Sequence, residues 1–128
     1  MSKILSISTL FQSIEVHGNI PHESYEHRIV LLCVDEDISD PQLYQKIYDT
    51  LEEESYETAD GVIVQWRLQK ILDIFELVDA LPVQSTDFPI EVYSRYFFYD
   101  GTLQDVLGKY FSDFVWEDNY LKCLNIHY

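Results

Sequence analysis

Arginine, glutamate and tyrosine side chains at alternate positions are the residues of this sequence best suited to chemistry. Glu26 and Arg28 are separated by one residue, a later segment repeats the spacing, and Arg67 stands in a third extended segment. Residues two apart in a strand share one face of a sheet, so these side chains converge if their strands are neighbours. Guanidinium groups there bind an anion or a peptide carboxylate through paired hydrogen bonds. The candidate ligand-binding residues are Arg28, Arg67, Glu91, Tyr93 and Arg95.

The same alternating residues also fit a purely structural role. Opposite charges on neighbouring strands form ladders of ion pairs that stabilise a sheet by about 0.2–1 kcal/mol per pair. The two interpretations differ in geometry. A ligand site requires a concave pocket at these side chains, whereas a ladder requires only a solvated or helix-covered face.

Other kinds of reactive site have less support. His17, His22 and His27 are evenly spaced, but no HExxH or CxxC spacing accompanies them, and we interpret them as loop histidines. The sequence has no G-x-S-x-G nucleophile motif, and with four glycines it has no glycine-rich phosphate loop. We therefore expect no catalytic residue, no metal site and no cofactor.

The net charge of −15, from 23 acidic and 8 basic residues, is the strongest global feature. Such a surface repels nucleic-acid backbones and anionic membranes and attracts cationic partners. We expect no nucleic-acid or membrane partner. The charge suits a basic protein as partner, and the alternative is that it belongs simply to a soluble acidic protein. The aromatic run at 93–99 resembles a platform for stacking bases, but the charge favours packing on the sheet as its role.

Two acidic runs flank the first predicted helix; Tyr44 and Tyr48 lie within that helix and Tyr56 lies in the second run. If the tyrosines are exposed, the acids and aromatic rings form a docking surface for a basic protein. The alternative is that the acids are simply the solvated ends of the helix. The candidate partner-binding residues are Asp35, Glu36, Asp37, Tyr44, Tyr48, Glu52, Glu53 and Glu54.

The first half of the chain predicts a hairpin followed by a helix. Residues 3–16 and 25–34 predict two strands that the loop 17–24 joins. The second half of 25–34 is apolar on both parities, which is typical of a central strand covered on both faces of the sheet. Asp40 before Pro41 predicts the N-cap and first position of a helix.

The segment 61–77 is the longest nearly uninterrupted apolar stretch, and we predict that it is the central strand. Apolar and polar residues alternate through its first half, with Trp66 on the parity assigned to the core. The alternation fails near Gln69–Lys70, where we place a β-bulge. Residues 68–77 also fit one face of a helix, so that alternative stays open.

The remaining segments complete an α+β fold of order β-β-α-β-β-α, in which about four mainly antiparallel strands carry two helices mainly on one face. A strand is predicted at 90–99, and Thr102 with Asp105 predicts a capping box that opens a short helix. The tail 111–128 predicts a short strand or an irregular packed segment. At 128 residues and 47% hydrophobic content, residues 1–128 fit a single domain.

The N-terminal segment, the absence of a long apolar run and the spacing of the cysteines together predict the cellular compartment. The first sixteen residues hold one lysine and an apolar stretch interrupted by polar residues, which is unlike a signal peptide. No apolar run approaches the roughly 20 residues of a membrane-spanning helix. Cys33 and Cys123 are isolated, which favours free thiols. We expect a cytoplasmic protein.

The acidic runs at 35–40 and 52–57, the Trp-bearing strand at 61–68 and the aromatic strand at 91–99 together resemble the small acidic immunity proteins that bacteria keep beside polymorphic or contact-dependent toxins. The resemblance spans the whole length of the chain. It implies a compact α+β domain that binds a toxin and has no catalytic activity of its own.

Three hypotheses of function follow. The first is a non-enzymatic protein-interaction module of the immunity or antitoxin kind. The second is a small-ligand or anion-binding domain, or an enzyme, with a polar site on the sheet face. The third is a structural subunit that forms a homodimer through an exposed edge of the sheet.

Overall fold

The computed structural model of the chain describes residues 2–77 and 88–113, which form seven elements. In chain order these are β1 (Ser2–Glu15), β2 (Ile20–Asp35), α1 (Asp40–Leu51), β3 (Tyr56–Glu57), β4 (Ile63–Glu76), β5 (Ile90–Phe98) and α2 (Leu103–Tyr110). The predicted α+β class with two helices is confirmed. The sheet has five strands rather than about four, because the two-residue β3 adds a strand before β4. The predicted tail at 111–128 lies largely outside the described residues.

The sheet is antiparallel throughout and its strands follow the order β3-β4-β1-β2-β5. β1 is therefore the central strand, and the prediction of a central strand at 61–77 is wrong. Ten consecutive residues of β1, from Leu5 to Ile14, are buried. Several of them are polar and satisfied by hydrogen bonds: Thr9 Oγ1 donates to the carbonyl oxygen of Arg28, and Gln12 Nε2 donates to that of His22. These hydroxyl and amide groups lower the mean hydropathy of β1 although it is deeply buried, which is why apolar content alone did not identify it as the central strand.

The hairpin between β1 and β2 is tighter than the predicted loop at 17–24. The chain turns over residues 16–19, and β2 already begins at Ile20. Gly18 and Asn19 adopt positive φ angles of 89° and 53°, and these two residue types enter that left-handed region at least cost. His22 consequently lies on a strand and not in a loop.

β4 is one continuous strand, which excludes the helical alternative for residues 68–76. Its register against β1 shifts twice, so that Gln69 and Leu72 each stand as an extra residue opposite β1. The bulge predicted near Gln69–Lys70 is confirmed. Trp66 packs against the core beneath α1, as its parity predicted.

The two helices lie on opposite faces of the sheet, which corrects the expectation that both cover mainly one face. α1 buries Leu43, Tyr44, Ile47 and Leu51 in a core that includes Phe11 of β1. α2 packs through Val106 in a second cluster that includes Leu10 of β1. Adjacent residues of a strand point to opposite faces, so the second helix has its own apolar face to cover.

Both helices begin with a capping box. Ser39 is the N-cap of α1: its hydroxyl accepts from the backbone N–H of Gln42, whose side chain accepts from the N–H of Ser39. The predicted N-cap, Asp40, is instead the first helical residue, because the reciprocal pair requires the glutamine three residues on. The predicted pair of Thr102 and Asp105 opens α2 and is confirmed.

Candidate functional site

A buried ion pair lies on the sheet face that α1 covers. Glu26 is 1% exposed, and Arg28 Nη2 donates to its Oε1 at 2.5 Å and to Glu53 Oε1 at 2.6 Å. The guanidinium carbon of Arg28 stands 4.1 Å from the centre of the Phe11 ring. Burial opposes the charge of Arg28, but its hydrogen bonds to the carboxylates of Glu26 and Glu53, together with their negative charges, outweigh this effect and raise the pKa of Arg28 above its usual value.

The same ion pair ties the end strand β5 to the sheet. Ser94 Oγ donates to Glu26 Oε2 at 2.5 Å, and Glu91 Oε1 lies 3.7 Å from Arg28 Nε. Burial, together with the negative charge of Glu26, raises the pKa of Tyr96. One buried carboxylate and one guanidinium therefore connect β2, β5 and the segment after α1.

The predicted ligand-binding residues do not converge as a set. The structure brings Arg28 and Glu91 together, but Tyr93 and Arg95 lie on the opposite face. Tyr93 contacts the ring of His27 at 5.4 Å between centroids. The cause is a register shift between β2 and β5, in which Val30 pairs with Glu91 and Ile29 pairs with Tyr93. The extra residue between them reverses the alternation, as a β-bulge does.

Arg67 lies apart from both groups, near the β1–β2 turn. Its Nη1 donates to Asn19 Oδ1 at 2.6 Å and its Nε donates to Gln65 Oε1 at 2.9 Å. Gln65 in turn donates to the carbonyl oxygen of Glu53 at 2.6 Å. Arg28 and Arg67 are thus each held by partners within the chain, and the expectation of one shared face is wrong for Tyr93 and Arg95.

The acidic runs lie at opposite ends of α1. Asp35, Glu36 and Asp37 are exposed before it, and Glu52 and Glu54 are exposed after it. A helix of 12 residues is about 18 Å long, so the runs form two patches and not one. Glu53, which lies between Glu52 and Glu54 in the sequence, is the residue whose carboxylate binds Arg28.

The tyrosines of α1 do not meet the condition of exposure on which the predicted docking surface depended. Tyr44 is buried in the core, 7% exposed, and Tyr48 is partly buried against the same cluster. They lie on the stripe of α1 that faces the sheet. Tyr48 nevertheless reaches the edge of a cleft at the C-terminal end of the helix.

This cleft has a volume of about 240 Å³ and lies between the last turns of α1 and the first half of β4. One residue that lines this cleft, Asp49, was not indicated by the sequence patterns. Asp49 stands three residues before Glu52, the C-cap of α1, and residues three apart lie close together on the surface of a helix, so this spacing is the signal that was available. We call it the acidic cleft; its lining residues are Tyr48, Asp49, Glu52, Gln65, Trp66, Arg67 and Leu68.

The end strand β5 presents an exposed aromatic and apolar surface beside the cleft. Phe98 is 81% exposed and Tyr96 is 64% exposed, so the expectation that this aromatic run packs on the sheet is wrong for both. Phe97, by contrast, stacks on Tyr25 at 5.5 Å between centroids. The ring of Tyr96 contacts Trp66 edge to face at 5.5 Å, which makes the strand continuous with the cleft. We call Val92, Tyr96 and Phe98 the β5 surface; Tyr93 is also exposed, but on the opposite face.

Two histidines lie on β2 and take part in cross-strand contacts. His22 Nδ1 lies 3.1 Å from Ser13 Oγ, and its Nε2 lies 3.2 Å from Glu15 Oε1. His27 Nε2 lies 2.8 Å from Ser8 Oγ, and burial, followed by the charge of Arg95, lowers the pKa of His27. Within residues 2–77 and 88–113, no group of three or more histidine, cysteine or acidic side chains is arranged to hold a metal ion.

Comparisons with known proteins identify no relative: no protein family, no curated protein and no solved structure matches this chain at a significant level. In the described ranges, no helix has the length and apolar character needed to cross a membrane.

Proposed function

We propose that this chain is a non-enzymatic, cytoplasmic protein-interaction module of the immunity or antitoxin kind, which binds a basic protein. The observation that carries the proposal is the β5 surface. Val92, Tyr96 and Phe98 are each more than half exposed on a strand at the end of the sheet. Contiguous exposed aromatic residues of this kind are enriched at the centres of protein interfaces.

The edge of β5 adds a backbone recognition element. Among the described strands, β5 pairs only with β2, so its other side presents backbone N–H and C=O groups without a strand neighbour. An extended segment of a partner that adds to such an edge gains main-chain hydrogen bonds, while alternate side chains provide specificity.

Charge selects the class of partner. The net charge of −15 repels nucleic acids and acidic proteins and accelerates encounters with basic proteins, particularly at low ionic strength. A bacterial toxin with a basic surface is a partner of this chemistry, which agrees with the resemblance of the sequence to immunity proteins.

The experiment begins with identification of a cationic partner from the native host, followed by binding measurements on the two purified proteins. Phe98→Ser and Phe75→Ser form a matched pair, because Phe75 is also exposed, at 55%, but lies on β4. We expect Phe98→Ser to weaken binding roughly 30-fold, the equivalent of a 2 kcal/mol hot spot, and Phe75→Ser to change it less than about twofold. Failure to recover a cationic partner, or equal effects of the two variants, contradicts the proposal.

The exposed edge of β5 also favours the structural homodimer as a second candidate. Two copies pairing through β5 form a closed two-fold dimer. Light scattering at increasing concentration distinguishes the candidates: a monomer at high concentration supports the interaction module, and a dimer that Phe98→Ser dissociates supports the homodimer. An anion site on the sheet face, or an enzyme built on it, has less support because the Arg28 guanidinium is held by Glu26 and Glu53.

A further inference from the structure

We infer that the acidic cleft receives one cationic side chain, a lysine or an arginine, from the basic partner. The inference rests on the proposed function, because it assigns a place for one positive charge of that partner. It goes beyond the β5 surface in naming a second contact, its chemistry and the residues that form it.

Two carboxylates and two aromatic rings give the cleft the chemistry of a cation receptor. Asp49, in the last turn of α1, and Glu52, its C-cap, are both exposed, and Tyr48 and Trp66 line the same cleft. A cation over such a ring gains about 0.5–1 kcal/mol at an exposed site and about 2 kcal/mol when desolvated. The carboxylates supply charge-assisted hydrogen bonds to the same group.

Neither carboxylate is neutralised by a cation of the described chain. Asp49 Oδ1 accepts from Gln45 Nε2 at 2.8 Å, which leaves its charge unpaired, and Glu52 forms no ion pair with any described residue. Arg67 also lines the cleft, but its guanidinium donates to Asn19 and Gln65. An incoming cation therefore meets two carboxylates that are not paired with Arg67.

The size of the cleft suits a single side chain. Pockets that hold whole small molecules measure about 300–1,000 Å³, and this one measures about 240 Å³. Lysine and arginine bury their aliphatic stems along apolar surface and leave the charged group in a polar setting. Leu68 and Trp66 provide the apolar wall, and Asp49 and Glu52 provide the polar end.

The position of the cleft links it to the β5 surface. Trp66 lines the cleft and also contacts Tyr96 edge to face. A partner segment that lies along β5 and covers Tyr96 therefore reaches the mouth of the cleft. One basic side chain at that end of the segment enters it.

The test uses the full chain and three defined probes: N-acetyl-arginine amide, N-acetyl-lysine amide and the uncharged N-acetyl-norleucine amide. The NMR signal of the Trp66 indole N–H, assigned by its loss in Trp66→Phe, reports occupancy. We expect the two cationic probes to shift this signal in a saturable way and the norleucine probe to leave it unchanged. A shift with all three probes, or with none, overturns the inference.

A charge-matched pair of variants separates a specific site from general electrostatic attraction. Asp49→Asn with Glu52→Gln removes two charges from the cleft, and Asp35→Asn with Glu36→Gln removes two charges from the far end of α1. We expect the first variant to abolish the response and the second to retain it. An equal loss in both overturns the inference, because the attraction is then a property of the whole surface.

The purified partner distinguishes failure of this inference from failure of the proposed function. If Phe98→Ser weakens partner binding and the cleft variant changes it less than about twofold, the interaction module stands and the cleft assignment fails. If both weaken it, the cleft variant by roughly tenfold or more, both stand. If no cationic partner exists, the proposed function fails, and the assignment of the cleft to a partner side chain fails with it.

Discussion

The rings of Trp66 and Tyr96 contact each other at 5.5 Å between centroids, although their strands are not neighbours in the sheet. β1 and β2 lie between β4 and β5. In a flat sheet, three strand spacings of about 4.8 Å place the two backbones roughly 14 Å apart, with side chains parallel to each other. The sheet therefore curls toward its α1 face, and the curl joins the acidic cleft to the β5 surface.

A double-mutant cycle on Trp66→Leu and Tyr96→Leu tests the curl. We expect a coupling free energy of about 0.5–1.5 kcal/mol, the usual range for an aromatic pair, from urea unfolding of the two single variants and the double variant. The control cycle combines Trp66→Leu with Phe98→Leu, and its coupling should fall within about 0.5 kcal/mol of zero. Equal coupling in the two cycles would show that the Trp66–Tyr96 contact does not form.

Substitution of Arg28 should strongly destabilise the fold. Arg28→Met leaves the Glu26 carboxylate buried without its cation, and we expect a loss of about 3–5 kcal/mol in the free energy of unfolding. Arg95 is exposed on β5, so Arg95→Met should change the free energy of unfolding by less than about 0.5 kcal/mol. Denaturant titration measures both.

A double variant shows whether the cost of losing Arg28 comes from the uncompensated charge. Glu26→Leu together with Arg28→Met removes both members of the pair and should recover part of the stability lost in Arg28→Met. A double variant less stable than Arg28→Met alone would contradict this account of the pair.

Ser39, and not Asp40, should carry the N-terminal cap of α1. Removing the hydroxyl in Ser39→Ala leaves the backbone N–H of Gln42 without its acceptor, and the expected cost is about 1 kcal/mol. Asp40→Ala loses only a favourable charge in the first turn, worth about 0.3–1 kcal/mol and screened by salt. Thermal unfolding at high ionic strength should therefore separate the variants, with Ser39→Ala the less stable.

His27 should make the stability depend on pH. Burial and the charge of Arg95 hold the pKa of His27 below its ordinary value of 6.5. The unfolded chain therefore binds this proton more readily, and the contribution of His27 to stability is lost as pH falls from 6.5 toward the lower pKa of the folded state. Well above pH 6.5 both states are neutral at this ring, and the contribution does not change.

The pH effect is measured as the difference between the wild-type chain and His27→Gln in urea unfolding from pH 7.5 to pH 5. Glutamine retains a polar contact with Ser8 but does not titrate, so the variant should lose less stability than the wild type over this interval. His17→Gln, in the exposed turn, serves as the control and should follow the wild-type curve. Parallel curves for all three proteins would show that the charge state of His27 does not affect folding.

Several features of the fold were predictable because local chemistry produces them. The lost alternation in β4 marks the bulge at Gln69, since side chains alternate along any strand wherever it lies in the sheet. Thr102 and Asp105 form their capping box within one turn of helix. The net charge, which determines the class of partner proposed, is a property of composition alone.

The site depended on contacts between residues distant in the chain. The bulge between Glu91 and Tyr93 arises from pairing with β2 and moves Tyr93 and Arg95 to the other face, a change that no pattern within β5 reveals. Tyr44 is buried because the stripe that contains it faces the sheet, whereas periodicity alone left its exposure open.

The sequence by itself determined the two helices, four of the five strands and the acidic character of this protein, because those depend on backbone preferences and charges within a few residues. The tertiary structure decided that β1 is central, since its hydroxyl and amide groups find partners across the sheet and are buried despite their polarity. It also decided that Trp66 meets Tyr96. Only the curl of the complete sheet brings β4 and β5 close enough to form one surface.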